Sequence, residues 1–450
     1  MKLRKSRKAL SSLGLYGSII FISACTAVGP NYVRPQTDEA KDYREAPALN
    51  ESTLKGVELK EDWWLAFNDE KLNELMVEIE NSNYTFQTSK AKLEQAMAAA
   101  SIARSEQYPA VDAGGTNDFG VLASWEVDLW GRIKRNIEAS NADIQAGTAD
   151  LAAVKLSLQA QLAQNYFLLR IQDAEIGLLQ DTITSYDKSL EIARNQYAAG
   201  IVDRVIVEQS IAQLNATQAQ LYTARITRSK LEHSVATLIG KRPADFSIDV
   251  EPFNMKLPNI PVILPSELLQ RRPDIAVAER KMAASSARIG VAEASTYPAL
   301  NLSVGLSVRK VLIGGEKLFA PLYAGGKLKA VNKKAIAEYE MTVANYRQTI
   351  LDAFREVEDN LVTLRILKKA STSQKIAVES SRKVVDIIKN QYQAGIVTYQ
   401  SIIIAQATAL TDERSELAIL SDQLASSVLL IKAMGGGWEP SVLESAKLIQ

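Results

Sequence analysis

The chain has 450 residues, and its 52 basic and 52 acidic side chains give a formal net charge of zero, so nothing biases it toward nucleic acid. A single histidine and a single cysteine exclude an internal disulfide and argue against the usual zinc or iron sites and against a Cys-His or Ser-His-Asp nucleophile. The GxGxxG and GxxxxGK[ST] phosphate-binding motifs do not occur. We therefore expect no catalytic residues, no cofactor and no metal, and we interpret His233 as a solvated or structural side chain.

The beginning of the chain, up to Cys25, has the pattern of an export signal. A basic start precedes a short apolar stretch, residues 13–22, which is too short for a permanent membrane-spanning helix. Ile22-Ser23-Ala24-Cys25 then matches a bacterial lipobox, whose cysteine receives a diacylglycerol. We predict a signal peptide at residues 1–24 and lipidation of Cys25, and several acyl chains on one residue suffice for stable anchoring. The alternative is an ordinary signal peptide followed by a buried free cysteine.

A long repeat organises the rest of the chain. Residues 194–202 (RNQYAAGIV) return as residues 389–397 (KNQYQAGIV), 195 positions later, and Gly131 and Gly326 keep the same offset. The Tyr-Pro pairs that begin at Tyr108 and Tyr297 are 189 positions apart instead. This period is far longer than the roughly 20–50 residues of solenoid repeats. We therefore predict one architecture that is built twice, with its halves side by side.

Each copy consists mostly of long helices. The stretches at 131–196 and 326–391 contain no proline, and each could extend roughly 100 Å as a near-continuous helix. A second helix follows the glycine after each stretch, which is Gly200 in the first copy and Gly395 in the second. In the second copy the later helix has apolar residues at coiled-coil spacing, namely Leu417, Leu420, Leu424, Val428 and Ile431. We expect Gly200 and Gly395 to adopt positive φ and to reverse the chain at the tips of helical hairpins. The predicted helices span residues 131–196, 202–239, 326–391 and 397–434.

Two short segments, one after each Tyr-Pro pair, have strand character. Residues 121–130 follow a Gly-rich stretch at 111–120, and residues 300–308 alternate with a period of two before residues 318–323. One strand hairpin per copy gives four strands per chain. Open strand edges are not tolerated in a bilayer, so four strands require closure by other chains. The simplest solution is a homotrimer with twelve strands.

Several motifs on this duplicated frame resemble those of TolC/NodT-type outer-membrane factors, the exit ducts of tripartite efflux pumps. The motifs are VGPNYVRP at 28–35, DWW at 62–64, WEVDLWGR at 125–132, LPSELLQRRPDI at 264–275 and GGGW at 435–438. The resemblance covers nearly the whole chain. It implies a mainly α fold with a small β part, in which a trimer forms a periplasmic α-barrel and a shared 12-stranded outer-membrane β-barrel. It also implies an equatorial belt near residues 30–70, 240–265 and 435–450.

The predicted domains follow this frame. They are the lipoprotein signal peptide at 1–24, an N-terminal anchor and equatorial segment at 25–70, a first repeat at 71–240, an equatorial linker at 241–265, a second repeat at 266–435 and a C-terminal equatorial tail at 436–450. The strand hairpins lie at about 110–130 and 299–323, and the helical tips at about 197–202 and 392–397. Only a short segment separates Pro109 from Trp125, so we expect minimal extracellular loops or a truncated barrel.

The resemblance implies a passive, lipid-anchored exit duct in the outer membrane for small molecules such as drugs. The expected partners are two further copies, a periplasmic adaptor, an inner-membrane pump and outer-membrane lipid, without nucleic acid. One alternative is the exit duct of a type I protein-secretion system. A second alternative is a periplasmic adaptor, but an adaptor would normally show one helical hairpin and a lipoyl-like β domain, whereas this sequence predicts two hairpins and no such domain. A third is a purely structural coiled-coil lipoprotein of the periplasm, and the predicted strand pairs argue against it.

The tips are the predicted functional sites. By the resemblance, adaptor hairpins dock on the residues Gly200, Ile201, Val202, Gly395, Ile396 and Val397. The tips also have to close the duct at rest. We expect closure by packing of Tyr392 with Ile396 and Val397, with ion pairs from Asp203 or Arg204 to a neighbouring helix. The family's acidic ring is absent, because Val397, Ser401 and Ile404 occupy its positions. The alternative for Asp203, Arg204 and Glu208 is a solvated helix face.

Overall fold

The computed structural model describes residues 27–35, 43–45, 60–114, 120–251, 257–258, 260, 265–307, 311–312, 317–319 and 323–445. Cys25 and the predicted signal peptide lie outside these residues. The helices are α1 (Glu70–Ser82), α2 (Tyr84–Ser105), α3 (Arg132–Ala198), α4 (Arg204–Leu238), α5 (Pro265–Arg271), α6 (Pro273–Ala294), α7 (Lys327–Gln393), α8 (Tyr399–Ala433) and α9 (Ser441–Ser445). The strands are β1 (Ala110–Gly114), β2 (Gly120–Val127), β3 (Ala299–Ser307), β4 (Val311–Leu312) and β5 (Lys317–Phe319).

The duplication predicted from the sequence is present in the helices. The long helices α3 and α7 have 67 residues each, the returning helices α4 and α8 have 35 each, and α2 and α6 have 22 each. A rise of about 1.5 Å per residue makes each long helix about 100 Å long. The predicted mainly α fold of two long helical hairpins is confirmed. Among the described residues, none of the helices is both long and apolar enough to cross a membrane.

The helices form a wall of four columns. Helix α3 packs against α2 and α4 on one side and against α6 and α8 on the other, and α7 packs beyond α6 and α8. Helices α2 and α4 share one column because α4 ends where α2 begins, and α6 and α8 share another in the same way. The column order is therefore α2/α4, α3, α6/α8 and α7, which leaves the first and last columns at the edges.

The largest apolar core lies near the middle of the long helices. Trp63, Trp64 and Phe67 of a short 3-10 turn pack there with Tyr166 and Phe167 of α3. The coiled-coil positions predicted in α8 also enter this core, with Leu424, Val428 and Ile431 buried and Leu417 and Leu420 packed against them. Residues 63–67 and 246–248 of the predicted belt thus pack against the middle of the wall.

One pair of duplicated arginines holds the chain segments around this core. Arg170 donates from Nη2 to Glu251 Oε2 at 2.9 Å. Arg365, its counterpart in the second copy, forms an ion pair with Glu45. The same position of the repeat therefore binds a different segment in each copy, one from the linker after α4 and one from the N-terminal part of the chain.

The strands form one antiparallel sheet at the end of the wall opposite the tips. Its order is β1-β2-β3, and β4 and β5 both pair with β3. The four predicted strand positions are filled, but the fourth is split between β4 and β5. Strand β2 ends at Val127, earlier than predicted, because Leu129 N–H turns back to the carbonyl of Val127 at 2.8 Å.

The sheet has one apolar and one mostly polar face, as the register shows. The apolar face carries Val111, Ala113, Val121, Ala123, Trp125, Val127, Leu300, Leu302 and Val304. The other face carries Asp112, Leu122, Ser124, Glu126, Asn301, Ser303 and Gly305. This alternation is typical of strands that face lipid on one side and an aqueous lumen on the other. Five residues separate β1 from β2, and minimal extracellular loops or a truncated barrel remain our prediction.

Candidate functional site: the helical tips and the strand-helix boundary

The two tips have the same hydrogen-bonded turn. At the end of α3, Gly200 N–H donates to Tyr197 O at 2.9 Å and Ile201 N–H donates to Gln196 O at 2.9 Å. At the end of α7, Gly395 and Ile396 donate to Tyr392 O and Gln391 O at the same distances. Gly200 has φ 73° and Gly395 has φ 71°. These are Schellman turns, in which a left-handed glycine ends the helix, as the repeat predicted.

The apolar residues after these glycines are exposed. Ile201 is 70% exposed and Ile396 is 71% exposed, whereas Val202 and Val397 are half-buried. A Cβ atom added at Gly200 or Gly395 would have no neighbouring heavy atom within 4 Å. Two small, apolar and unobstructed turns therefore form the outermost surface at this end of the chain. Their contact with an adaptor remains a prediction.

Tyr392 joins the two tips within one chain. Its hydroxyl donates to Gln196 Oε1 at the end of α3. Its ring contacts the ring of Tyr399 edge to face, with centroids 5.6 Å apart. Tyr392 also packs against a small core that includes Leu190 and Ile402. The predicted closing residue is thus held at the contact between the hairpins, while Ile396 is exposed to solvent.

The charged residues after the first tip do not bridge helices within this chain. Arg204 Nε lies 3.2 Å from Glu208 Oε1, one turn further along α4, and both side chains are mostly exposed. Asp203 precedes α4 and is exposed, and its side chain makes no capping hydrogen bond. Within the single chain Arg204 therefore pairs along its own helix, because Glu208 is within reach on the same helix face, and an ion pair from Asp203 or Arg204 to a helix of a neighbouring copy stays a prediction. The solvated-face alternative describes this pair.

Aromatic side chains line the boundary between the strands and the helices. The ring of Trp130 stacks on Tyr297 with centroids 4.7 Å apart, and its Nε1 donates to Pro298 O at 2.8 Å. Trp125 Nε1 donates to Gln107 O at 3.0 Å. Tyr323 is almost fully exposed. Tryptophan and tyrosine are enriched at the membrane–water interface of membrane proteins. These four aromatic residues therefore indicate the level of the membrane boundary.

An ion-pair cluster fixes the start of α3 at this boundary. Arg132 Nε donates to Glu126 Oε1 at 2.9 Å, and its Nη2 lies 3.1 Å from Glu106 Oε2. The hydrogen bond and charge of Glu126, together with Glu106, raise the pKa of Arg132 against the opposing effect of burial. The guanidinium therefore remains charged at every physiological pH and holds β2, α2 and α3 together.

Arg135, which lies one turn into α3 and is buried, was not among the residues predicted for a site. Its side chain binds the N-terminal residues Val28, Gly29 and Asn31. The only sequence signal for it was its place just after the WEVDLWGR motif. His233, by contrast, is exposed on α4. Among the residues that the structure describes, no group of three or more His, Cys, Asp or Glu side chains could hold a metal ion.

Comparison with known proteins agrees with this architecture. Residues 75–241 and 264–436 match the family model described as outer membrane efflux protein. The chain is 28% identical over 414 residues to the pyoverdine export outer membrane protein OpmQ of Pseudomonas aeruginosa, and this match covers 84% of the chain and 87% of that protein.

Two further likenesses extend over most of the chain. It is 24% identical over 455 residues to the probable outer membrane lipoprotein SilC of Salmonella typhimurium, covering 94% of the chain and 97% of that protein. Its structure is similar to that of the outer-membrane channel OprN, with a TM-score of 0.84 and 26% identity over 92% of this chain and 100% of that one. Sequence and structure thus point to the same family.

Proposed function

The chain belongs to the outer membrane efflux protein family, whose members are efflux channels and not enzymes, and we propose that three copies of it form a passive exit duct. Three walls of four helical columns would give a tube of twelve columns, and three sheets with four strand positions each would give a twelve-stranded barrel. Closure removes the strand edges that a bilayer does not tolerate. The duct itself performs no chemistry in this proposal.

The observation that carries the trimer is a pair of apolar stripes on the two edge columns. On α7, Leu351, Ile376 and Ile387 are exposed. About seven helical turns separate the first two and about three separate the last two, so all three share one face of the helix. They lie opposite the buried Val378, which shares a helix face with Gln374 and Arg382, and both of these residues bond to α8. Such a stripe on a long helix needs a partner.

The opposite edge of the wall has stripes of the same kind. Tyr84 and Ile102 of α2 are exposed and lie about five helical turns apart, on one face. Tyr222 and Ile226 of α4, one turn apart, are exposed on the same column. Because the two edges differ, their contact is heterologous, and such contacts close into a ring when the rotation permits it. A second and third copy of this chain therefore suit both edges.

A duct in the outer membrane also implies a lipid anchor in that membrane and protein partners on its periplasmic side. We propose that Cys25 is lipidated in the outer membrane, and the likeness of the chain to SilC, a probable outer membrane lipoprotein, supports this. We further propose that the turns at Gly200 and Gly395 contact a periplasmic adaptor, and that an inner-membrane pump supplies the energy. Relatives named for efflux or export support small molecules as the exported class over protein secretion.

Native mass spectrometry of the detergent-extracted chain tests the assembly. We expect three copies, and we expect Ile376→Asp on the α7 edge to yield monomers. Lys375→Asp is the matched control, because Lys375 is the exposed neighbour on a different face of α7. In planar bilayers the trimer should give a steady conductance without any energy source. A monomeric wild-type chain, or an Ile376→Asp trimer as stable as the control, would contradict the proposed duct.

A further inference from the structure

We propose that Arg135 is a positioning residue that clamps the N-terminal segment, residues 27–34, to the wall and thereby fixes where the lipid on Cys25 enters the membrane. The inference rests on the lipidation of Cys25 proposed above. It assigns a role to a buried arginine at the strand-helix boundary, far from the tips.

Arg135 uses three nitrogens to hold its neighbours in place. Its Nε donates to Val28 O at 3.1 Å, and its Nη2 donates to Gly29 O at 3.1 Å and to Asn31 Oδ1 at 2.9 Å. Its Nη1 donates to Glu138 Oε2 at 2.8 Å. The planar guanidinium satisfies this set of acceptors at once, which a lysine ammonium could not do.

The repeat provides an internal comparison. The position that corresponds to Arg135 in the second copy is Ala330, and it is exposed. A residue that only stabilised the start of a long helix would be as useful in α7 as in α3. The arginine occurs at the start of α3, where residues 28–31 lie, and not at the start of α7, which indicates that this segment is the reason for it.

Three glycines allow the segment to lie directly on the wall. A Cβ atom at Gly131 would lie 2.3 Å from Ala27 Cβ, and one at Gly29 would lie 2.4 Å from Gly290 Cα. A Cβ atom at Gly290 would lie 2.9 Å from Val28 O. Gly326, the counterpart of Gly131, has no heavy atom within 4 Å of the same position. Backbone approaches this close require glycine, and of the two glycines that precede the long helices, Gly131 makes such an approach and Gly326 does not.

Further contacts extend the clamp across the wall. Val28 N–H donates to Trp130 O at 3.0 Å, next to the aromatic boundary. The hydroxyl of Tyr32 donates to Glu279 of α6, and Arg34 Nε donates to Tyr346 of α7 at 3.3 Å. The segment therefore connects α3, α6 and α7, which belong to three different columns.

Chain geometry transmits this placement to the lipid. Cys25 lies two residues before Ala27, and two residues of extended chain span at most about 7 Å. Ala27 rests against Gly131, immediately after the strand β2 and the aromatic boundary. A clamped Ala27 thus holds the acylated residue at the level where the sheet enters the membrane. Without these contacts the lipid would be attached to a chain segment whose position on the wall is not fixed.

A double-mutant comparison separates positioning from simple stabilisation. Arg135→Gln is made in the lipidated chain and in an unlipidated chain with Cys25→Ala and a signal peptide cleaved by the ordinary peptidase. The readout is the amount of trimer in the isolated outer membrane, and mass spectrometry verifies that the lipid is present in the first background and absent from the second. We expect Arg135→Gln to lower the trimer about tenfold in the lipidated chain, the scale of one lost charged hydrogen bond. We expect no further loss in the unlipidated chain.

Arg170→Gln is the matched control, since Arg170 is equally buried but binds Glu251 in the middle of the wall. It should reduce the trimer by the same factor in both backgrounds. Gly29→Ala, which cannot fit against Gly290, should reproduce Arg135→Gln without removing a charge. An equal loss from Arg135→Gln in both backgrounds would overturn the positioning role while leaving the duct intact. An unmodified Cys25 would overturn the lipidation instead, and the absence of any wild-type trimer would overturn the duct.

Discussion

Asn83 donates a hydrogen bond from its side-chain Nδ2 to the main-chain carbonyl of Leu238, at 2.8 Å and across 155 residues of sequence. This bond joins the end of α4 to the beginning of α2. In the second copy, Arg272 Nη1 donates to Ala433 O at 3.0 Å and joins α8 to α6 in the same way. The donors are 189 positions apart and the carbonyls 195, which are the two offsets of the repeat. The joint therefore has the same geometry in both copies but a different chemistry.

A glycine completes each joint. Gly240 and Gly435 have φ of 69° and 91°, and a Cβ atom there would lie 2.2 Å from Ser82 O and 2.0 Å from Arg271 O, respectively. The left-handed glycine ends the incoming helix and leaves its last carbonyls free for an outside donor. The two helices of one column can therefore follow one another end to end without leaving an unsatisfied carbonyl at their junction.

Asn83→Asp tests the first joint. Asn83 is buried, and its Oδ1 also accepts from Phe86 N–H at 2.9 Å as the N-cap of α2. The aspartate keeps this cap but places an acceptor against the Leu238 carbonyl, so we expect a loss of about 1–3 kcal/mol in the free energy of unfolding. Differential scanning calorimetry of the detergent-extracted protein measures the fall in Tm. Asn81→Asp, two residues earlier and exposed, is the control, and an equal effect of both would contradict the joint.

Arg272→Gln tests the second joint. Arg272 binds both carboxylate oxygens of Asp274 and also donates to Glu356 and to Ala433 O. Burial lowers the pKa of the guanidinium, but the hydrogen bonds and charges of Asp274 and Glu356 outweigh this effect and raise it. The group is thus charged in the folded state, and its removal should cost about 1.5–3 kcal/mol. Arg272→Lys should recover part of this loss, because an ammonium replaces the charge but not the fork geometry.

The matched control for this pair is Arg271→Gln. Arg271 is the preceding residue and is only half-buried, so its substitution should leave Tm within about 2 °C of the wild type, on the scale of a surface change. Indistinguishable melting of Arg271→Gln and Arg272→Gln would show that the buried arginine does not hold the column.

The repeat made the helices predictable. The helix predicted at 326–391 is observed as Lys327–Gln393, because a proline-free stretch that ends in a left-handed glycine fixes both its length and its end. The glycine turns, the coiled-coil positions of α8 and the alternation in β3 followed from the same local signals. Such signals act over a few residues and are visible in the sequence itself.

The remaining features depend on contacts between distant residues. The partner of Asn83 is set by how two helices stack, and the partners of Arg135 by where the N-terminal segment lies. The split of the fourth strand was also missed. Both pieces pair with β3, and the partner of a strand is not visible in its local pattern.

Gly200→Glu combined with Gly395→Glu tests the adaptor surface at the tips. Both glycines have positive φ, so any other L-residue is strained there by about 1–2 kcal/mol. Gly200→Ala with Gly395→Ala has the same strain without charge or bulk and is the matched control. We expect the glutamate pair to abolish drug resistance in a strain that lacks its own channel, with trimer levels equal to those of the alanine pair. Full resistance of the glutamate pair would exclude these turns as the docking surface.

Tyr392→Phe tests the gate. The phenyl ring keeps the contact with Tyr399 but removes the hydroxyl that donates to Gln196. One such bond contributes about 0.5–1.5 kcal/mol, and three copies at the narrow end of a trimer would add together. We therefore expect a higher resting conductance in planar bilayers and greater sensitivity of cells to large antibiotics. Tyr392→Ala with Asp203→Ala, which also removes the ring and the charge beside the tip, should enlarge both effects.

The repeat supplies the control for the gate. Tyr197 occupies the corresponding position of the first copy and is 48% exposed, so Tyr197→Phe should leave the conductance unchanged. Arg204→Ala should also have little effect, because an exposed i, i+4 pair contributes only about 0–1 kcal/mol. If Tyr197→Phe and Tyr392→Phe raised the conductance equally, the bond between the hairpins would not be what closes the duct. If Arg204→Ala alone opened the duct, Arg204 would have to pair with a neighbouring copy in the trimer and not with Glu208.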